Sequence, residues 1–522
     1  MFLNVCLSLR FPLVSPWWSN LLPSLDLVAL ALVLALCVAW LRVPRWVHGL
    51  LLAALLAARA LRIADGIEQG AYLRNFNLSV DLPLLPELVR LFYATLSRLG
   101  FWLAALAVAL LVLALALAMH WALRCVERGL REPSHVRAVF VGIGLLAIPA
   151  AMLPPRTVFG ASILGRVSSE LAFAASLPRV RARQRASIAQ VQQEHSQRPS
   201  DLRKLRGQDV YLFVLESYGQ CVLDLPELFA RVSPEYRRFE TELSGQGFQL
   251  ASRVLDSSTY GGRSWLAQAT LLTSVPTRDQ LEYELLRAAQ PRTIAEVFAT
   301  AGYRTVLAQP GTVRESTQPD LYHFQQHYFA RDFGYRGPVF GWATMPDQFV
   351  LDTLRRRELR ALARRPLFLG YALVSSHVPW SDLPPLVDDW STLGDGSLFG
   401  RLPSKHYSTQ WLSLAGARVA YADSIVYDLE VLRRYISEFV HDDSLLIILG
   451  DHQPHSEVSQ RGPSPGVPVH VLSRNGAFID PFRARGYTPG MLASEALPHP
   501  PLASLMLDLM ADFSVAARGG SD

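Results

Sequence analysis

Polar groups with metal or phosphate chemistry close three apolar runs in the second part of the chain. Glu216 ends VYLFVLE at 210–216, Asp451 and His452 end SLLIILGDH at 444–452, and Ser375, Ser376 and His377 follow LFLGYALV at 367–374. Singly, each is ordinary: a Glu at a strand end is more often solvated or a helix cap, and a lone His more often has a structural hydrogen bond. Together, Glu216, Asp451 and His452 offer two carboxylates and an imidazole, the oxygen and nitrogen set that a hard or borderline divalent cation takes from rigid supports. A nucleophile comes from SSTYGGRSWLAQATLLTS at 257–274. Gly261 and Gly262 permit a tight turn, and the residues from Ser264 onward suit a helix. That puts the Ser264 hydroxyl at a helix N-terminus, where amide donors and the dipole favour an anion. Taken alone, Ser264 reads most simply as a helix cap. Trp342, Asp347, Trp380 and Arg314 are weaker pocket candidates for which packing or surface roles serve equally well, and His455 fits an outer contact of the centre better than a ligand.

The elements that must hold these groups follow from the runs themselves. With YRTVLAQ at 303–309 they make four short, continuously apolar, β-rich segments separated by helical stretches. Such runs suit strands buried on both faces, so residues 208–518 read as an α/β domain with a largely parallel central sheet. Ligands in these sheets gather at strand carboxyl ends, where the polar groups fall. Near the C-terminus, Leu502, Leu505, Leu509 and Phe513 mark one helical face, expected to dock on the same domain.

Upstream the chain changes character. Of 522 residues 50% are hydrophobic and 18% charged, too apolar for a purely soluble protein, and the excess lies before residue 155. Residues 1–155 read as a multi-span transmembrane helical region. Its clearest span is Phe101–Leu123, free of charge, with Trp102 and Trp121 near its ends, and further candidates run over 27–41, 46–64 and 138–153. No cleavable signal segment fits the start. Arg42 and Arg45 follow the first candidate, while Arg124, Arg128, Arg131 and Arg137 separate the last two, which places both short loops in the cytoplasm and both termini outside. Arg156, Arg166, Arg179, Arg181, Arg183 and Arg185 oppose that topology. Residues 156–207 read as a juxtamembrane linker helix broken near Pro178.

Charge and cysteine content remove other classes. The 50 Lys and Arg residues face 45 Asp and Glu, with no basic block long enough to track a nucleic-acid backbone, so no nucleic acid is expected as a partner. Cys6, Cys37 and Cys125 lie in or beside the apolar region, leaving Cys221 alone downstream, so the α/β domain has no internal disulfide and no cysteine zinc site.

The segment SWLAQATLLTS from Ser264 to Ser274 is similar to the nucleophile helix of sulfatases, and it keeps the LLT at the same offset. With FVLESYG, SSHVPW and LGDH, residues 208–475 resemble the alkaline phosphatase and sulfatase superfamily, especially the membrane-anchored lipoteichoic acid synthase and phosphoglycerol transferase branch. The resemblance implies a sulfatase-like fold and one divalent metal ion (Mn, Mg, Zn or Ca) held by Glu216, Ser264, Asp451 and His452. It also implies a nucleophile at Ser264 and His377 beside the substrate phosphate. It further implies an enzyme of a bacterial inner membrane with its catalytic domain on the periplasmic or extracellular side. Such an enzyme transfers a phosphoryl-linked headgroup such as phosphoglycerol from a membrane lipid donor to an envelope glycan or lipid acceptor through a phosphoserine. Leu266 and Gln268 replace the Pro and Arg of the formylglycine signal, so Ser264 is expected to stay a serine, which suits phosphoryl transfer better than sulfate ester hydrolysis. Lipoteichoic acid synthases usually carry Thr there, and the cousin phosphoethanolamine transferases are rich in disulfides, unlike this chain. The alternatives are a membrane-bound phosphodiesterase or sulfatase-type hydrolase, and a non-catalytic relative that binds lipid or glycan.

Overall fold

In the computed structural model, residues 2–8, 24, 26, 44–86, 88–89, 93, 97–131, 138, 142, 163–312, 320–341, 343–359, 364–407, 414–460, 464–494 and 498–515 are described. The chain divides into two compact units, Met1–Val180 and Arg181–Asp522.

In the first unit, α1 (Arg45–Tyr72) and α2 (Arg98–Arg131) are both long and apolar enough to cross a membrane. At ~1.5 Å per residue each exceeds the ~30 Å hydrocarbon core of a bilayer. Leu103, Leu106, Val108, Leu110, Leu111 and Leu113 of α2 are all exposed, an apolar surface that suits lipid rather than water. These helices contain the expected spans at 46–64 and 101–123; the span at 27–41 and nearly all of that at 138–153 lie outside the described residues. Helix α3 (Ile163–Gln197) passes through Pro178 without a break. Proline removes one amide donor and crowds the preceding turn, which bends a long helix without ending it when the residues on both sides are good helix formers. Arg166, one of the arginines that oppose the topology, is buried against Asp65 at 3.0 Å and Glu170 at 2.6 Å, so its charge is neutralised locally.

The second unit is built on an eight-stranded sheet. Its strands are β1 (Val210–Leu215), β2 (Gln249–Asp256), β3 (Arg304–Gln309), β4 (Gln326–Phe329), β5 (Leu367–Ala372), β8 (Leu445–Gly450), β9 (Gly466–Ser473) and β10 (Thr488–Pro489), in the order β10-β2-β9-β8-β1-β5-β3-β4. The run β8-β1-β5-β3-β4 is parallel, while β9, β2 and β10 add antiparallel pairs at the other edge. β6 (Asp382–Leu383) and β7 (Lys405–His406) form a separate antiparallel pair.

Every residue of β1 is buried, and the pleat sends alternate side chains to opposite cores. Tyr211, Phe213 and Leu215 enter one core, and Val210, Leu212 and Val214 the other. Helices α4 (Pro226–Gly245), α6 (Asp347–Leu354) and α7 (Leu414–Phe439) cover the first face; α5 (Ser264–Thr273) and α8 (Leu505–Phe513) cover the second. Burial on both faces explains why the central strands read as unbroken apolar runs. At the amino end of β1, Asp209 accepts from Leu367 N at 2.8 Å and its carbonyl accepts from Leu445 N at 3.0 Å, which pins β5 and β8 to β1.

Candidate metal and nucleophile site

The register of β1 and β8 brings the first ligands together. Leu215 pairs with Gly450, so the next residues, Glu216 and Asp451, leave adjacent parallel strands side by side. Gly450 is required at this crossing, because a Cβ there would overlap the carbonyl oxygen of Tyr218. Glu216, Asp451 and His452 offer ligand atoms within 4.8 Å of one another, and all three are buried.

Ser264 completes the group. It is the first residue of α5, and the N-cap position before it falls to Arg263, in the left-handed region at φ 66°. The expectation that Ser264 is itself a cap is therefore corrected: its hydroxyl donates to Glu216 Oε2 at 2.7 Å and lies 3.1 Å from His452 Nε2. The left-handed turn at Arg263 starts the helix one residue early and aims Ser264 inward.

Each ligand candidate is oriented by its neighbours. His452 Nδ1–H donates to the Gln453 carbonyl at 2.8 Å, which turns Nε2 toward Ser264 and Glu216, the nitrogen that would ligate a metal once its proton is displaced. Asp451 Oδ1 accepts from the amides of Ser217 and His452, both at 2.8 Å. Asp451 Oδ2 is buried and accepts no hydrogen bond among the described residues, although His452 Nε2 lies 3.5 Å away. Ser376 Oγ donates to the Glu216 carbonyl at 2.7 Å, which ties the turn bearing His377 to the end of β1. Ser217, Ser376 and Gln453 support the centre through contacts that no spacing in the sequence announces.

The electrostatics match a site built for positive charge. Burial pushes Asp451 up, and the neighbouring Glu216 adds to this, carrying it to about 7. Burial opposes a charged His452, yet Asp451 and Glu216 carry it up to about 9. Glu216 is held well below the usual carboxylate range: burial works against this, but His377, His452 and the Ser264 hydrogen bond prevail. The unsatisfied Asp451 oxygen, the inward-facing His452 Nε2 and the two carboxylates fit a divalent cation, which would replace protons that the cluster otherwise retains.

The remaining candidates separate. His377 is close enough to Glu216 and His455 for its charge to act on both. His455 is pulled down to about 4 by burial and by His452 and His377. Asp347 is fully buried: it accepts from Ser375 N at 2.7 Å, from Val374 N at 3.1 Å and from the Tyr371 hydroxyl, so it anchors the turn before His377. Trp380 is buried as well, packs edge-on to Tyr421 and donates from Nε1 to the Ser376 carbonyl at 2.6 Å. Both are buried and satisfy polar groups of this turn. Arg314 and Trp342 lie outside the described residues.

No family model matches the chain, and no curated protein matches it. Among solved structures it is similar to the lipoteichoic acid synthase LtaP from Listeria monocytogenes, at 14% identity and a TM-score of 0.33, over 51% of this chain and 65% of that one. This chain thus spans less than two thirds of that protein's length. It is also similar to the Streptococcus pyogenes phosphoglycerol transferase GacH in complex with sn-glycerol-1-phosphate, at 14% identity and a TM-score of 0.39, over 63% of this chain and 91% of that one. A third is the C-terminal periplasmic domain of EptC from Escherichia coli in complex with Zn, at 13% identity and a TM-score of 0.33, over 51% of this chain and 73% of that one.

Proposed function

We propose that this chain is a membrane-anchored, metal-dependent phosphotransferase that moves a phosphoryl-linked headgroup from a lipid to an acceptor hydroxyl through Ser264. The observation that carries this reading is the Ser264 hydroxyl, 2.7 Å from Glu216 and 3.1 Å from His452, at the N-terminus of a ten-residue helix. Glu216, Asp451, His452 and Ser264 itself would hold the divalent cation, which when bound favours the ionised serine and screens phosphoryl charge.

Ser264 loses its proton to solvent, and its oxygen attacks the phosphorus of the lipid diester. The bond from phosphorus to the diacylglycerol oxygen breaks as the bond to Ser264 Oγ forms, and His377 supplies the proton that the departing oxygen takes up. The N-terminus of α5 faces the growing negative charge with amides and dipole. In the second step an acceptor hydroxyl attacks the phosphoserine, its proton returns to His377, and Ser264 is regenerated. Asp347 and Ser376 keep His377 and Glu216 in register. The apolar helices α1 and α2 would hold this chemistry close to a donor that never leaves the bilayer.

The test is full-length protein in lipid nanodiscs containing phosphatidylglycerol, followed by mass spectrometry of the Ser264 peptide. A glycerophosphate adduct on an otherwise unmodified serine, absent from Ser264→Ala, supports the reading. A formylglycine at this position, or an adduct elsewhere with Ser264 unlabelled, overturns it.

A further inference from the structure

A second pair of carboxyls lies beneath the turn that bears His377. Asp347 opens α6, Asp428 belongs to the second half of α7, and both are fully buried. The two side chains come within hydrogen-bonding reach of each other.

They are unequally served by their surroundings. Asp347 collects donors: the Ser375 amide at 2.7 Å, the Val374 amide at 3.1 Å and the Tyr371 hydroxyl. Asp428 collects none among the described residues, and both of its oxygens are buried without a hydrogen bond. Among those residues no Lys, Arg or His forms an ion pair with either carboxyl. The titratable groups that face the pair are two further acids, Tyr371 from β5 and Tyr427 from α7, and burial pushes both phenols well above their ordinary range.

An ionised Asp428 would therefore lack both a counter-charge and a donor, and a buried acid in that position keeps its proton rather than bear the desolvation of a bare charge. Two ionised carboxylates can only accept, so a hydrogen bond between them needs a proton on one. The donors decide which: three of them stabilise negative charge on Asp347 and none does so on Asp428. Burial and the neighbouring Asp347 push Asp428 well above the usual carboxylate range, and Ser376 offsets this only in part. We propose that Asp428 is a neutral carboxylic acid that donates to Asp347 and, through it, positions the turn bearing His377.

The chain of contacts is short. Asp347 fixes the amides of Val374 and Ser375, and the His377 amide donates to the Val374 carbonyl at 3.1 Å. Ionising Asp428 would set two negative charges together in the core and drive Asp347 off the amides it holds. Asp428 is thus a positioning residue rather than a catalytic one. Its effect on turnover rests on the transferase reading above; the proton itself does not.

Infrared spectra of the Mn²⁺-loaded full chain in nanodiscs test this, taken in H₂O and D₂O at ~pH 8, roughly four units above an ordinary Asp. The expected signal is the C=O band of a protonated carboxyl that shifts on deuteration, as lipid esters do not, and that disappears in Asp428→Asn. In headgroup release from a fluorescent phosphatidylglycerol, kcat should fall ~10- to 100-fold in Asp428→Ala at unchanged KM, the range of one hydrogen bond lost from a charged acceptor. Asp428→Asn keeps a donor and has no proton to lose, so it should recover most of that loss, and its kcat relative to wild type should rise with pH, which lost packing would not produce. Ser264→Ala should keep the infrared band while losing turnover, so that failure of the transferase reading and failure of this one are told apart. Four results overturn the proposal. They are no exchangeable carboxyl band in the wild type at ~pH 8, a band retained in Asp428→Asn, an Asn variant that does not fold or loses as much kcat as the Ala variant, or a melting temperature raised by Na⁺ or K⁺ at constant ionic strength in the wild type but not in Asp428→Asn, which would put a cation in place of the proton.

Discussion

Replacing Ser264 by Ala separates a structural hydroxyl from a reacting one. The side chain contacts Glu216 Oε2 at 2.7 Å and His452 Nε2 at 3.1 Å, while Arg263 holds the N-cap position. Losing one hydrogen bond to a charged partner costs ~1.5–3 kcal/mol. At ~1.36 kcal/mol per tenfold in rate, a hydroxyl that only steadied Glu216 and His452 would cost at most ~10²-fold. A nucleophile is different in kind: its removal closes the covalent route, with losses of order 10⁴ to 10⁶. The assay is headgroup release from a fluorescent phosphatidylglycerol in nanodiscs, with metal content measured on the same samples. We expect the Ala variant to fall more than ~10⁴-fold at wild-type metal occupancy, and Ser264→Thr, which keeps a hydroxyl, to recover most of that loss. Turnover within ~10²-fold of wild type in the fully loaded Ala variant would refute the nucleophile assignment.

Other outcomes follow from the same geometry. Asp451, carried up to about 7, and His452, carried up to about 9, both hold protons more tightly folded than unfolded. The metal-free protein should therefore lose melting temperature in chelator as pH rises from the ordinary carboxyl range through those values, while the gain on adding Mn²⁺ widens, because the ion displaces those protons. A metal-induced gain that shrinks with rising pH would contradict the ligand set. Asp347→Ala strands the Val374 and Ser375 amides and the Tyr371 hydroxyl inside the core, so a destabilisation of ~3–5 kcal/mol is expected in urea unfolding, with Asp347→Asn intermediate. Gly450→Ala drives a methyl into the Tyr218 carbonyl and should abolish metal retention on gel filtration; a variant that keeps its metal would show that β8 can shift.

The parallel core was legible because burial on both faces leaves an unmistakable trace: the four apolar runs correspond to β1, β3, β5 and β8, each ending within a residue or two of the expected position. The antiparallel edge was not. Strand β2 carries Gln249, Ser252 and Arg253, and β9 contains Pro468 and His470, so neither reads as a continuous apolar run. Within β9, His470 is buried between Tyr218 and Ser252, partners that come from elsewhere in the chain. That Glu216, Ser264, Asp451 and His452 converge was legible because each sits at an element end. The depth of Asp347 was not, since the turn it fills lies more than twenty residues further on, and that of Trp380 depends on Tyr421, also distant in sequence. Pro178 misled for a related reason: a breaker residue signals local preference, whereas the long flanking helix decides the outcome.

The pairing of Leu215 with Gly450 makes the spacing of the two carboxylates independent of the length of the chain between. More than two hundred residues separate Glu216 from Asp451, yet their spacing is set by one rung of a ladder rather than by any loop. Insertions, deletions or even new chain ends within that long excursion leave the two carboxylates where they are, provided the rung survives. The surroundings of the centre can thus be rebuilt for new partners while the chemistry underneath stays fixed.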